Sequence, residues 1–136
     1  MSDSTNAMKA ENAAYTILVV EDYEAMRVVA VKILQMAGYR VLEAGSGKQA
    51  VQLWNGSPRA VDLLIADLAL GGDMNGDAVA RLFRKLNPDL PVIFFTANSP
   101  ETCAENFALV DHSGYLSKPS SPAALLNAVQ LALANR

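Results

Sequence analysis

The sequence predicts an α/β fold: a doubly wound parallel sheet of five strands with helices on both faces. Three observations lead there. The segments "TILVV" (16–20), "DLLIAD" (62–67) and "VIFFTA" (92–97) are short, continuous apolar runs, the pattern of strands covered on both faces. Segments of helical period alternate with them along the chain. Glycine, proline and asparagine clusters fall between the two kinds of segment and leave no long linker.

The elements follow in order. "TILVV" is the first strand. Residues 22–37 form a helix with Met26, Val29, Ile33 and Leu34 as the expected inward residues, stopped by Gly38. "YRVLEA" (39–44) is the second strand. Residues 47–54 form a short helix with Ala50, Val51 and Trp54 on one side, ended by "NGSP". "DLLIAD" is the third strand, and the glycine-rich "LGGDMNGD" is a loop. Residues 78–86 form a helix with Val79, Leu82, Phe83 and Leu86 inward, and "NPDLP" breaks it. "VIFFTA" is the fourth strand. A weaker helix over 100–110 starts at Ser99-Pro100, a cap followed by proline at the first helical position. "GYLS" (114–117) is the fifth strand. Ser121-Pro122 repeats the cap-and-proline start, and the last helix runs to about Asn135. Leu125, Leu126, Val129 and Leu133 are its core stripe. Ala124, Asn127, Ala128, Leu131 and Ala132 form an almost uncharged opposite face, which suits either loose packing or a partner surface.

Length and composition bound the function. The 136 residues make one domain, expected over 15–136, with 1–14 as a frayed tail or cloning remnant. Hydrophobic residues at 51% and charged residues at 18% give a globular composition able to bury a core. The net charge of −3 offers no footprint for nucleic acid or for an anionic membrane. No apolar run approaches the ~20 residues of a membrane span. The one cysteine, Cys103, excludes an internal disulfide and fits a reducing, cytoplasmic setting.

In a doubly wound sheet, ligands bind at the carboxyl ends of the strands. Glu21-Asp22 follow the first strand, Asp67 ends the third, Thr96 the fourth, and Lys118-Pro119 follow the fifth. Each alone reads most simply as a cap, turn or surface residue, but their placement at four strand ends has no packing explanation. Three close carboxylates repel and need a cation. Hard oxygen donors without His or Cys suit Mg²⁺. Such a site, with an ammonium and a hydroxyl beside it, suits a transferring phosphoryl group. A carboxylate can be its nucleophile, and Asp67 has the central strand and the apolar approach.

These residues carry a family resemblance. The chain resembles the receiver domain of two-component response regulators from about Tyr15 to Asn135, through "VVED", Asp67 at the end of strand three, Thr96-Ala97 after "IFF", and "YLSKP". Together, order and spacing are highly specific. The resemblance implies a flavodoxin-like sheet of strand order 2-1-3-4-5. It implies that Asp67 accepts a phosphoryl group from a phosphohistidine of a sensor histidine kinase or phosphotransfer protein in a bacterial cytoplasm. Glu21 and Asp22 would hold Mg²⁺, Asp22 directly and Glu21 through water, with Asp67 and the backbone carbonyl of Ala69 completing the site. Lys118 would pair with the phosphoryl oxygens next to a cis Lys118–Pro119 bond. Thr96 would move inward and Tyr115 change rotamer, switching the surface of the fourth helix, fifth strand and fifth helix, which could also form a homodimer.

The chain departs from the family where receivers usually have a proline four residues after the acceptor: here it has Gly71, in a loop one residue longer. That form is similar to the C-terminal receivers of hybrid sensor kinases, so the expectation is either a single-domain regulator or a receiver from a larger protein, with a hybrid histidine kinase as the favoured parent. The domain itself modifies only itself and turns over no external substrate. Two rivals are an aspartyl-phosphate hydrolase and a non-phosphorylated binding scaffold. The hydrolase wants a second acid where Ala69 stands, and the scaffold has no need of Glu21, Asp22, Asp67, Thr96 and Lys118 together. "GSGKQ" (45–49) fails as a phosphate loop, since Leu42 holds the first glycine position and Gln49 the hydroxyl position. It is better read as the opening of the second helix. "DMNGD" (73–77) fails as a calcium loop, and Asp73 and Asn75 read as turn and cap residues. His112 is the only histidine, so no His-based cluster arises within the chain.

Overall fold

A computed structural model gives the fold and describes residues 9–56, 60–72, 74–96, 113–117 and 121–134. Five strands, β1 (Thr16–Val20), β2 (Arg40–Ala44), β3 (Leu63–Asp67), β4 (Val92–Thr96) and β5 (Ser113–Ser117), form one sheet. Every pairing is parallel and the order is β2-β1-β3-β4-β5, as expected. The described helices are α1 (Glu24–Met36), α2 (Gly47–Gly56), α3 (Gly76–Leu86) and α4 (Pro122–Ala134), with a helical turn at 9–12. The helix expected over 100–110 lies outside the described residues, as do Asp73, Ser99, Cys103 and His112. Among the described residues no helix is long and apolar enough to cross a membrane.

The two-sided burial follows from the period of two in the strands. Leu18, Val20, Leu64, Ala66, Val92 and Phe94 face one way and pack with Ala50, Trp54, Val79, Ala80 and Phe83 of α2 and α3. Ile17, Val19, Leu63, Ile65, Ile93 and Phe95 face the other way and pack with Ala30, Val31 and Leu34 of α1 and Leu125, Val129 and Leu133 of α4. Trp54 stacks on Phe83 with ring centroids 4.2 Å apart and planes 7° from parallel, which joins α2 to α3.

Helix faces depart from expectation in two places. In α1, Ala30, Val31 and Leu34 are buried, whereas Val29 is 58% exposed. Apolar residues surround nearly the whole helix, so their period does not select a face. In α3 the buried set is Gly76, Val79, Ala80 and Phe83, and Leu86 is 69% exposed. Two small residues bring this helix close to the sheet, while Leu86 sits in its last turn. Leu82 is also exposed, and Leu126 of α4 is only partly buried.

The helix ends show local chemistry. Ser46 Oγ accepts from Gln49 N–H, and Gln49 Oε1 accepts from Gly45 N–H, so "GSGKQ" is a reciprocal cap on α2. Ser121 Oγ accepts from Ala124 N–H at the start of α4. Asn75 occupies the N-cap position of α3 but makes no side-chain cap hydrogen bond. Gly38, at φ 102°, ends α1. Its N–H donates to Gln35 O and that of Tyr39 to Leu34 O, a Schellman ending. Residues 9–12, in the stretch expected as a tail, are tied to this ending. Asn12 Nδ2 donates to Ala37 O at 2.8 Å, and a Cβ on Gly38 would lie 2.7 Å from the Lys9 backbone.

Tyr39 is buried at this junction. Burial, and secondarily the charge of Tyr15, raises its phenol above the ordinary tyrosine value. The folded chain therefore keeps this proton when the unfolded chain has lost it. Stability from this group is intact below the ordinary value and is lost as pH rises through the folded one. Urea midpoints between about pH 9 and pH 11 are expected to fall less steeply for Tyr39→Phe than for the unaltered chain. Parallel slopes would rule this linkage out.

Candidate functional site: an acidic cluster at the sheet's carboxyl edge

The strand order reverses between β1 and β3, so the carboxyl ends of these adjacent strands open into one crevice. Glu21 and Asp22 leave β1 there, and Asp67 is the last residue of β3. Carboxylate oxygens of all three lie within 4.8 Å of one another. Glu21 is 2% and Asp67 7% exposed, while Asp22 is open to solvent. Buried charge of one sign at this spacing fits a hard cation, and oxygen donors without His or Cys fit Mg²⁺.

The backbone around the cluster is held from several directions. Asp67 Oδ1 accepts from Ala69 N–H at 3.0 Å, which fixes the carboxylate against its own turn. Leu68 N–H donates to Phe95 O, tying that turn to β4. Glu21 N–H donates to Ala44 O, and Arg27 Nη1 donates to Glu21 O at 3.0 Å while its Nε pairs with Glu43 at 3.1 Å. Asp22 Oδ2 accepts from Gly71 N–H at 3.3 Å. The start of α3 crosses close behind: Gly76 N–H donates to Leu68 O, and a Cβ on Gly76 would fall 2.2 Å from Asp67 O. Of these supports, Arg27, Gly71 and Gly76 are invisible to a strand-end reading, because Arg27 acts on a carbonyl, Gly71 through its N–H and Gly76 through the Cβ it lacks. The expected helix begins at residue 78, whereas the observed helix starts two residues earlier, at Gly76.

Thr96 ends β4 and is 4% exposed, one strand over from Asp67. Tyr115 lies mid-β5, partly buried, its ring tilted 35° against Phe94 at 5.4 Å. Ala69 follows Asp67 by two residues and is exposed. Ala97, Lys118 and Pro119 lie outside the described residues.

Fold and cluster together define a flavodoxin-like protein with an acidic site at its topological switch point. The chain belongs to the response regulator receiver domain family, whose family model matches residues 17–130. It is 35% identical over 106 residues to the sensor kinase CckA of Brucella abortus, covering 78% of this chain and 11% of that protein. It is 38% identical over 108 residues to the transcriptional regulatory protein YrkP of Bacillus subtilis, covering 79% of this chain and 45% of that one. The chain thus spans less than half the length of these relatives. Among solved structures it is similar to a response regulator receiver protein from Sinorhizobium medicae, with TM-score 0.80, 28% identity and 89% and 95% of the two chains covered. The receiver domain of the hybrid histidine kinase CckA matches with TM-score 0.74 and 30% identity over 87% and 98% of the chains. The chain is therefore a receiver domain of two-component signalling.

Proposed function

We propose that this receiver takes a phosphoryl group from phosphohistidine onto Asp67 and so switches a protein-interaction surface. The observation that carries the proposal is the meeting of Glu21, Asp22 and Asp67, with oxygens within 4.8 Å, where β1 and β3 end. In the reaction an Asp67 carboxylate oxygen attacks phosphorus. An O–P bond forms and the N–P bond of the donor breaks, and the imidazole, whose other ring nitrogen carries a proton taken from solvent, leaves as the neutral base with the N–P electron pair. The hydrogen bond from Ala69 N–H orients the nucleophile, and the apolar β3 behind it keeps water off one side.

Asp22, Asp67 and the Ala69 carbonyl are the proposed Mg²⁺ ligands, with Glu21 holding the ion through water. Bound there, Mg²⁺ would offset the charge of the carboxylates and of the phosphoryl oxygens. Thr96 and Lys118 are proposed to meet those oxygens, with Ala97 and a cis Pro119 shaping the loops that carry them. Tyr115 is proposed to pass the change to a surface that includes β5 and α4. Leu131 of α4 is 56% exposed, which supports a partner there, including a second copy of the chain. The donor is a sensor histidine kinase or phosphotransfer protein in a bacterial cytoplasm, and the similarity to CckA supports a hybrid kinase parent. Borohydride reduces an acyl phosphate to the alcohol. Reduction after phosphorylation is expected to convert residue 67, and no other acid, to homoserine in a peptide map. Conversion elsewhere would overturn the assignment.

A further inference from the structure

We infer that the backbone N–H of Gly71 is a positioning group for Asp22, holding one carboxylate oxygen so that the other faces the acidic cluster. The inference rests on the reading of that cluster as a Mg²⁺ site. Asp22 is the solvent-exposed member of the three acids. Glu21 and Asp67 are packed into the sheet edge and have little freedom, but an exposed aspartate samples several rotamers. Gly71 N–H donates to its Oδ2 at 3.3 Å, reaching across 49 residues of sequence from the loop after β3. Carboxylates that ligate metals are commonly oriented by such outer hydrogen bonds, and the pairing to an ionised acceptor is charge-assisted. The donor is a main-chain group, so it depends on residue 71 having an N–H at all. Proline, expected here from the family resemblance, has none. The glycine at this position therefore gives this receiver a contact to its metal-binding acid that a proline would remove.

Two substitutions separate the N–H from everything else at residue 71. Gly71→Ala keeps it, and the added Cβ would stand 3.6 Å from Asp22 Oδ2, an ordinary contact. Gly71→Pro removes it. Mg²⁺ would be titrated into each metal-free protein, with affinity read from backbone amide NMR shifts and folding checked in the same spectra. The expected result is a dissociation constant about 3- to 10-fold higher for Gly71→Pro, below the roughly 10- to 100-fold typical of outer-shell partners because the contact is exposed. Gly71→Ala should stay within about twofold of the unaltered chain. Equal affinity for all three proteins overturns the inference and leaves the metal site standing. Equal weakening by alanine and proline also overturns it, since loop shape rather than the N–H would then be responsible. No Mg²⁺ response in the unaltered chain overturns the metal reading itself. A second measurement does not depend on metal or on Gly71→Pro folding. Hydrogen exchange of the Gly71 amide should speed up in Asp22→Ala while that of Gly72 stays the same. Unchanged Gly71 exchange would show that Asp22 does not hold this amide.

Discussion

Gly76→Ala is expected to lower the stability of the chain by about 3 kcal/mol, and to lower phosphoryl acceptance with it. The atom that one methyl would meet is a backbone oxygen, Asp67 O at 2.2 Å, with Asp67 C at 2.9 Å and Ala66 Cβ at 3.3 Å behind it. A flexible side chain could yield, but β3 is buried along its length and paired on both sides. The relief available is for the start of α3 to move off the sheet. That motion breaks the hydrogen bond from Gly76 N–H to Leu68 O and disturbs the turn that orients the Asp67 carboxylate. Urea unfolding gives the stability, and phosphoryl uptake measured well below the unfolding midpoint gives the site effect. A variant within about 0.5 kcal/mol of the parent would show that α3 does not cross this close to Asp67.

Asp67→Asn is expected to do the opposite to stability while abolishing phosphoryl acceptance. Two of the three cluster acids are buried, and all three bring oxygens within 4.8 Å of one another. Removing one charge relieves a repulsion of about 1 kcal/mol or more. Metal-free Asp67→Asn should therefore unfold at higher urea than the unaltered chain. Mg²⁺ should raise the melting temperature of the unaltered chain, because a ligand of the folded state stabilises it, and raise that of the variant much less. A metal-free variant less stable than its parent would mean that Asp67 is held by packing and hydrogen bonds that outweigh the repulsion. The nucleophile and the stability of the resting site would then not be in tension.

The sheet was legible because burial on both faces writes itself as unbroken apolar runs. "TILVV", "LLIAD" and "VIFFT" are the three strands at its centre. Strand-end placement puts Glu21, Asp22 and Asp67 on one edge of the sheet, and the strand order that the receiver resemblance implies sets β1 beside β3, so the three acids are expected to meet. Helix faces were less legible. α1 has apolar residues all round, and α3 uses small residues rather than its leucines against the sheet. The supports of the acidic site were least legible. Arg27 acts on a carbonyl, Gly71 through an N–H, and Gly76 through the side chain it lacks. Side-chain chemistry read along a sequence does not show such contacts, which exist only once the loops are closed.

The central claim is that Asp67 is a Mg²⁺-dependent phosphoryl acceptor. Intact mass after incubation with acetyl phosphate tests it most directly, with and without Mg²⁺ and beside Asp67→Asn. The account predicts a single phosphoryl adduct on the unaltered chain that requires Mg²⁺ and is absent from the variant. An unlabelled chain under conditions that label another receiver, or equal labelling of Asp67→Asn, would contradict it. The first result would favour a binding scaffold, and the second would place the acceptor at another residue.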